Sequence, residues 1–316
     1  MIALRRLLIA HPWIGSFVGA LVVWLAAIAY TGGHGGGGMV TAALALAAFT
    51  VIVGVAQMFV IALGPGNVDL SLPANIGLAS AVAMKVMDGA DGRIALGVGA
   101  AFACGALVGL GNYLLIRVLR IPPIIATLSA SFLLQSAGIS YGRGLQIKPP
   151  DGFADFCVAQ IGGVPALAFG ALAFAGLAHV ALTRTIYGRS ALAIGQNPRA
   201  AWLAGIAVER TRLITYVQCG ALGGLCGALL AGYFRGSSLD IGDEYLLTSI
   251  AVVVIGGTSV AGGKANIPGV WGASLFLVLL LTMLNTFGVS AGLRLLLTGL
   301  VIIGVIVAAG GEARER

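Results

Sequence analysis

The residues of this chain that could carry out chemistry are few, and the most suggestive run is a glycine-rich segment ending in a lysine. Residues 256–264 read GGTSVAGGK. A phosphate-binding loop would need glycine where Thr258 stands, and Ser or Thr to bind magnesium where Ala265 follows Lys264. Since both positions fail, the chain cannot hydrolyse ATP by that route and needs a partner subunit for it.

The sequence does not support a metal site or acid–base catalysis either. The three histidines are too scattered for a metal site, and no cluster of acids and bases points to an intramembrane enzyme. His179 lies in an apolar segment, and its side chain has two possible roles there: packing between helices or proton transfer. The four cysteines show no paired spacing and are expected to be small buried hydrophobic residues. These residues are His11, His34, His179, Cys104, Cys157, Cys219 and Cys226.

Two apolar stretches are interrupted in the same way. The first runs over 40–63, breaks at GPGNVDLSLP and resumes to Met87; the second runs over 245–258, breaks at SVAGGKANIP and resumes from Gly269. An offset of 195 aligns Asp69 with Lys264, Ser71 with Asn266, and Pro73 with Pro268. Each restart predicts a polar N-cap followed, after one residue, by a proline in the first helical turn.

A break inside a membrane constrains function. The freed backbone groups cannot face lipid, so they must be buried in protein or line water, and such breaks often mark a transport path. A carboxylate near hydrocarbon also requires a partner. One hypothesis is that Asp69 and Lys264 lie close together on the pore side and set a gate. The alternative is that each caps a loop at the cytosolic surface.

Polar side chains inside the apolar segments either make single hydrogen bonds between helices or, as a set, line a water-filled path. A path for a neutral, hydroxyl-rich solute needs several weak hydrogen-bonding sites. The polar set is Gln57, Asn75, Asn112, Thr127, Ser129, Ser131, Gln135, Gln218 and Asn285. The residues predicted to form the path or its gate are Asp69, Ser71, Asn75, Thr127, Ser131, Gln135, Thr258 and Lys264.

A basic stretch between apolar segments, residues 184–212, holds five arginines and a single acid, Glu209. Such a charge bias beside membrane segments predicts a cytoplasmic loop. Within it, Asn197 is a good N-cap, Pro198 suits the first helical position and Gly205 suits the end of a short helix. The helix would present Trp202 as a large anchor, either docked into another protein or resting in the lipid headgroups.

The elements that carry these residues follow from composition. Apolar and aromatic residues make up 59% of the 316 residues and charged residues 9%, with a mean hydropathy of +1.03. A soluble domain carries about 25% charged residues, so the sequence predicts an all-α polytopic membrane protein forming one transmembrane domain over 1–316. About ten segments are expected: 13–30, 40–63, 72–87, 94–118, 122–142, 163–183, 212–234, 245–258, 268–288 and 292–309.

Charge sorting gives the expected orientation. With the N-terminus in the cytosol, 12 of the 18 basic residues fall on the cytosolic side, which predicts that both termini are cytoplasmic. Residues 143–162 then form the longest exoplasmic loop. Arg5 and Arg6 precede a first span, with no cleavage pattern to suggest a removed signal peptide. The net charge of +7 reflects this topology, and nucleic acid is not an expected partner.

A family resemblance rests on four elements. Residues 195–206 resemble the G-x-N-x-x-A-A-x-x-x-G-I loop of ribose-type ABC importer permeases, and 69–71 resemble their D-L-S element. Residues 256–264 are very similar to G-G-T-S-x-x-G-G-K, and 123–128 to P-F-I-A-T-L. The resemblance implies that the basic loop is a coupling helix seated in a groove of the ATP-hydrolysing subunit. The implied contact residues are Gly195, Gln196, Asn197, Arg199, Ala200, Ala201, Trp202 and Gly205.

The resemblance further implies a permease subunit of an importer for a monosaccharide or similar polyol, in a bacterial inner membrane. Expected partners are ATP-binding-cassette ATPase subunits, a second permease (identical or homologous), a periplasmic substrate-binding protein and the lipid bilayer. ATP and Mg would bind the ATPase, leaving no catalytic residue, metal or cofactor in this chain. The alternative is an ion- or proton-coupled secondary transporter, which predicts more than one buried acid, whereas Asp69 is the sole candidate.

Overall fold

The structure is a computed structural model that describes residues 12–33, 36–142 and 148–311, and these residues fold almost entirely as helices. His34 and both termini lie outside them. A short 3-10 turn spans Asp91–Arg93, and β1 (Gln160–Ile161) pairs antiparallel with β2 (Val164–Pro165). The helices are α1 Pro12–Tyr30, α2 Gly36–Ala62, α3 Leu72–Met87, α4 Ile94–Val118, α5 Pro123–Gly142, α6 Asp151–Val158, α7 Ala166–Arg184, α8 Ile186–Gln196, α9 Pro198–Leu203, α10 Val208–Tyr233, α11 Tyr245–Ile255, α12 Ile267–Thr286 and α13 Ala291–Gly311.

Length and composition make this a multi-pass membrane bundle. Among the described residues, seven helices are long and apolar enough to cross a membrane: α1, α2, α4, α5, α7, α10 and α12. Shorter apolar helices correspond to the other three predicted segments: α3, α11 and the part of α13 over 292–301. The seven long helices fall where the sequence predicts spans. The count of ten and the cytoplasmic termini stay predictions.

The helix boundaries around both predicted breaks follow the sequence. Helix α2 ends at Ala62 and α3 begins at Leu72, while α11 ends at Ile255 and α12 begins at Ile267. Both restarts have a proline in the first turn, as predicted. The predicted cap is confirmed for Asn266, whose side chain accepts from the N–H of Gly269 at 3.3 Å. Ser71 occupies the N-cap position of α3, but its side chain makes no capping bond.

Close packing between α4 and α10 rests on paired glycines. A Cβ added at Gly105 would overlap the carbonyl of Gly220, and one at Gly109 would overlap the carbonyl of Tyr216. Any side chain there would force the backbones apart, which is why small residues mark such contacts. The GxxxG pairs 105/109 and 220/224 therefore form a packing seam between two helices of the same chain.

Helix α2 forms the centre of the bundle. Its residues from Ala47 to Ala62 are all buried, and large side chains such as Phe49 and Phe59 are completely enclosed. It packs against α7, α10, α11 and α12. Cys157, Cys219 and Cys226 are buried free thiols, and Cys104 is half-buried. This placement confirms that three of the four cysteines are small core residues.

Candidate functional site

The short helix predicted in the basic loop forms as α9, and its start is confirmed in detail. Asn197 has extended backbone angles, φ −160° and ψ 104°, and its side-chain oxygen accepts from the N–H groups of Arg199 and Ala200, both at 3.0 Å. Pro198 occupies the first helical position, where a missing N–H has no consequence. One side-chain oxygen therefore satisfies the first two N–H groups that follow the proline at this helix end.

The end of α9 is equally well specified. Gly205 has φ +83°, in the left-handed region that favours glycine. Its N–H donates to the carbonyl of Trp202 at 2.9 Å, and the N–H of Ile206 donates to the carbonyl of Ala201 at 3.0 Å. This is the Schellman pattern of helix termination. Both ends of α9 are thus fixed by the residues that the sequence singles out.

Helix α9 presents a distinctly apolar surface to the outside. Trp202 is 66% exposed and Leu203 is 73% exposed, although both are large hydrophobic residues. A shallow groove of about 730 Å³ runs beside them and is lined by Arg199 and Arg210, among others. An exposed aromatic anchor flanked by cations has the composition of a protein-docking surface.

Two of the eight residues implied to contact an ATPase do not lie on that surface. Ala201 is 5% exposed and packs into the core cluster beside Tyr216, while Gly195 at the end of α8 is buried. The other six are exposed. The structure therefore corrects the sequence interpretation for Gly195 and Ala201, which face the chain's own bundle.

A charged network joins α4 to the start of α10, just after α9. Glu209, in the first turn of α10, accepts from Arg117 at 2.9 Å, from Arg212 at 3.1 Å and from the hydroxyl of Tyr113 at 3.2 Å. Arg117 and Tyr113 belong to α4, so Glu209 joins α4 to the residues that follow α9. Sequence reasoning missed this role; the signal was a lone acid among five arginines.

The first helix break encloses a buried carboxylate. Asp69 is 2% exposed, and its carboxylate accepts from the N–H of Ser71 at 2.9 Å and from the hydroxyl of Ser71 at 2.6 Å. Asn112 of α4 donates to both carboxylate oxygens at 3.3 Å and to the Ser71 hydroxyl at 2.7 Å. Asn112 belongs to the polar set of the sequence but not to the predicted path.

The hypothesised pair of Asp69 with Lys264 is not formed. Within the described residues, Asp69 makes no ion pair, and Lys264 is exposed. The physical reason is local: the Asp69 carboxylate is already satisfied by Ser71 and Asn112. The alternative that each residue caps a loop at a surface is wrong for Asp69 as well, because Asp69 is buried.

The freed backbone groups of the first break are satisfied by Thr127 of α5. Its hydroxyl accepts from the N–H of Leu70 at 3.1 Å and donates to the carbonyl of Val68 at 3.1 Å. Asn75, in α3, donates to the carbonyl of Gly220 at 2.8 Å. These two polar residues of the predicted path therefore bond to the chain's own backbone.

The second break is closed by the same kind of bonding. The side chain of Asn266 donates to the carbonyl of Gly256 at 2.8 Å, and the hydroxyl of Thr258 accepts from the N–H of Asn266 at 3.2 Å. Of the other predicted path residues, Ser131 is 8% exposed and Gln135 is exposed on the outside of α5. The structure thus brings Asp69, Ser71 and Thr127 to the first break and Thr258 to the second. Gln135 lies away from both.

The described residues thus form a multi-pass helical bundle with an exposed, capped helix among arginines. The family profile described as "Branched-chain amino acid transport system / permease component" matches residues 38–306, and the chain belongs to this family. It is 33% identical over 242 residues to the ribose import permease protein RbsC of Bacillus subtilis (strain 168), covering 75% of this chain and 74% of the relative.

Other relatives are of the same kind. The ribose import permease protein RbsC of Escherichia coli (strain K12) is 32% identical over 246 residues, covering 75% of each chain. The autoinducer 2 import system permease protein LsrC of Enterobacter sp. (strain 638) is 31% identical over 245 residues, covering 77% of this chain and 71% of the relative. No solved structure matches the chain.

Proposed function

We propose that this chain is the membrane subunit of an ATP-driven importer for a monosaccharide or similar polyol in a bacterial inner membrane. The observation that carries the proposal is helix α9, whose two ends are fixed and whose outer face exposes Trp202 and Leu203 beside Arg199. Relatives named as ribose and autoinducer 2 import permeases support the solute class.

The ATPase is the partner that fits the α9 surface. Interface anchors are typically aromatic residues or arginines buried in a pocket of the partner. Trp202 and Leu203 supply the apolar part, and Arg199 and Arg210 supply positive charge at the rim of the same groove. The partner groove should therefore combine an apolar slot with acidic residues. ATP and Mg would bind in that subunit.

A second permease chain, identical or homologous, would complete the translocation path. Helix α5 packs mainly on α3, and its outer side exposes Gln135, Ser136 and Ser140 among apolar side chains such as Phe132 and Leu133. Polar side chains facing outward in a membrane helix favour contact with another helix or with water over contact with lipid. If Gln135 borders the path, as the sequence predicts, the opposite wall must come from another chain.

The far end of α10 offers a receiving surface for the solute and for a periplasmic binding protein. A cleft of about 750 Å³ opens there, between α2, α11, α12 and the loop after α10. Hydroxyl and amide groups line it, including Thr50, Thr248 and Asn285, together with Asp240 and Asp243. Such groups can make several weak hydrogen bonds to a polyol. Because each bond is weak, the solute can still be released into the path.

Reconstitution in proteoliposomes tests the proposal. The permease is combined with its candidate ATPase and binding protein, and uptake of radiolabelled ribose is measured with and without internal ATP. We expect ATP-dependent uptake that Trp202→Ala reduces at least tenfold, since truncating an interface anchor costs about 2 kcal/mol or more. The matched control is Phe102→Ala, which removes a 46% exposed aromatic of α4 that lines neither the α9 groove nor the cleft and should leave both ATPase binding and uptake unchanged.

Two outcomes would contradict the proposal. Uptake sustained by an ion gradient with no ATPase present would support a secondary transporter instead. Full ATP-dependent uptake by the Trp202→Ala protein, with unaltered affinity for the ATPase, would remove α9 as the docking helix.

A further inference from the structure

Three separate backbone segments meet next to α9. They are the end of α2, the end of α8 and the loop between α11 and α12. The N–H of Gly263 in that loop donates to the carbonyl of Ala62, the last residue of α2, at 3.0 Å. Both predicted breaks therefore touch each other at this point, although about 200 residues separate them in sequence.

Glycines leave no room for a side chain at this meeting point. A Cβ added at Gly195, in the last turn of α8, would overlap the carbonyl of Ala62 and the N–H of Gly263. A Cβ at Gly262 would overlap the backbone of Gly64. Gly262 and Gly263 also have φ values of +85° and +73°, which favour glycine. We call Gly64, Gly195, Gly262 and Gly263 the glycine junction.

Gln196 adds a side-chain link to the same point. Its amide N–H donates to the carbonyl of Gly263 at 3.3 Å, and a Cβ at Gly263 would meet the Gln196 side chain at 2.5 Å. The next residue is Asn197, which caps α9. The helix proposed to dock on the ATPase therefore starts three residues after Gly195, which touches both the end of α2 and the loop between α11 and α12.

We infer that Gly195 and Gln196 are positioning residues that transmit a displacement of α9 to both helix breaks at once. Backbone packs on backbone at the glycine junction, so no flexible side chain can absorb the movement. The inference rests on the proposed function, in which a motor subunit displaces α9. It also accounts for the burial of Gly195, which the family resemblance alone would place against the ATPase.

Position 195 provides the test. Gly195→Ala adds one methyl group where the carbonyl of Ala62 stands, and the small shift it forces separates α8 from the two breaks. Gly176→Ala, in α7, is the matched control, because a Cβ there meets nothing within 4 Å. For each protein assembled with the ATPase, three quantities are measured: complex formation by size exclusion, ATP hydrolysis, and solute taken up per ATP hydrolysed.

We expect Gly195→Ala to assemble and hydrolyse ATP, while uptake per ATP falls about tenfold, within the range of typical coupling energies. Gly176→Ala should match the unmodified protein. If Gly195→Ala does not elute as a folded complex, Gln196→Leu decides, because it keeps side-chain bulk and removes only the bond to Gly263. A several-fold drop in its uptake per ATP supports the inference, and an unchanged ratio overturns it.

The measurements separate the proposed function from the role of the glycine junction. Without ATP-dependent uptake by the unmodified complex, the proposed function itself is wrong. With normal uptake by the unmodified complex and an unchanged ratio in the Gly195→Ala complex, the importer stands and the glycine junction has only a packing role.

Discussion

The carboxylate of Glu209 accepts from the guanidinium of Arg117 at 2.9 Å, and this contact joins the end of α4 to the first turn of α10. Because α4 and α10 are already in backbone contact through their glycines, the ion pair adds a clamp at the end of the seam nearest α9. The position of Glu209 also stabilises α10, since an acid in the first turn interacts favourably with the helix dipole.

Replacing Glu209 with Gln should change the free energy of unfolding little but reduce the solute taken up per ATP hydrolysed. Glu209 and Arg117 are 41% and 56% exposed, so the loss of unfolding free energy should stay below about 1 kcal/mol. We expect uptake per ATP to fall, because α4 is then no longer tied to the start of α10, which directly follows α9. The control, Asp88→Asn, removes an exposed ion pair with Arg93 that lines neither the α9 groove nor the cleft beyond α10. Equal uptake by the two variants would argue against the clamp.

The cap of α9 gives a second prediction. Asn197→Ala removes the acceptor for two backbone N–H groups and should destabilise this short helix by about 1 kcal/mol. ATPase stimulation should drop with it, while the thermal unfolding of the bundle stays the same. Asn197→Ser restores a capping oxygen and should recover stimulation. A serine variant as inactive as the alanine variant would show that Asn197 acts by contact with the partner instead.

The α4–α10 seam gives a third prediction, with controls on the same helix. Gly105→Ala places a methyl group against the carbonyl of Gly220 and should destabilise the bundle by about 1–3 kcal/mol. Gly99→Ala and Gly111→Ala, where a Cβ meets nothing within 4 Å, should be neutral or slightly stabilising. Thermal unfolding in detergent measures the difference. Equal melting temperatures for all three would mean that the seam is looser than described.

The buried carboxylate gives a fourth prediction. Asp69→Asn keeps an oxygen for the N–H of Ser71, and its new amide N–H can donate to the side-chain oxygen of Asn112, which has no hydrogen-bond partner in the structure. Asp69→Leu leaves buried donors unpaired, at about 1–3 kcal/mol each. The amide variant should therefore fold and transport, and the leucine variant should not accumulate. Expression and uptake assays distinguish the two.

Local signals in the sequence predict local structure well here. Asn197, Pro198 and Gly205 specify both ends of α9 through their own side chains or backbone preference, so no knowledge of distant residues is needed. The helix restarts near Pro73 and Pro268 are predictable for the same reason. The glycine pairs of α4 and α10 are also visible, since their spacing alone implies a close approach.

Long-range partners are the part that the sequence leaves open. Asp69 could pair with any polar group that the bundle brings near, and it is Asn112, 43 residues later, that lies there instead of Lys264. Thr127 has a hydroxyl of the right kind for a water-lined path, yet α5 sets it against the backbone of the first break. Likewise, the sequence around Gly195 does not indicate that this residue touches Ala62.

Residues 197–206 contain everything that fixes the ends of α9: the capping amide, the proline, the left-handed glycine and the closing Ile206 contact. Such a self-bounded unit is interchangeable in principle, because its own residues fix both ends, and a replacement needs only a small residue at the buried position 201. Transplanting these ten residues between permeases would therefore be a direct way to make one permease work with a different ATPase subunit.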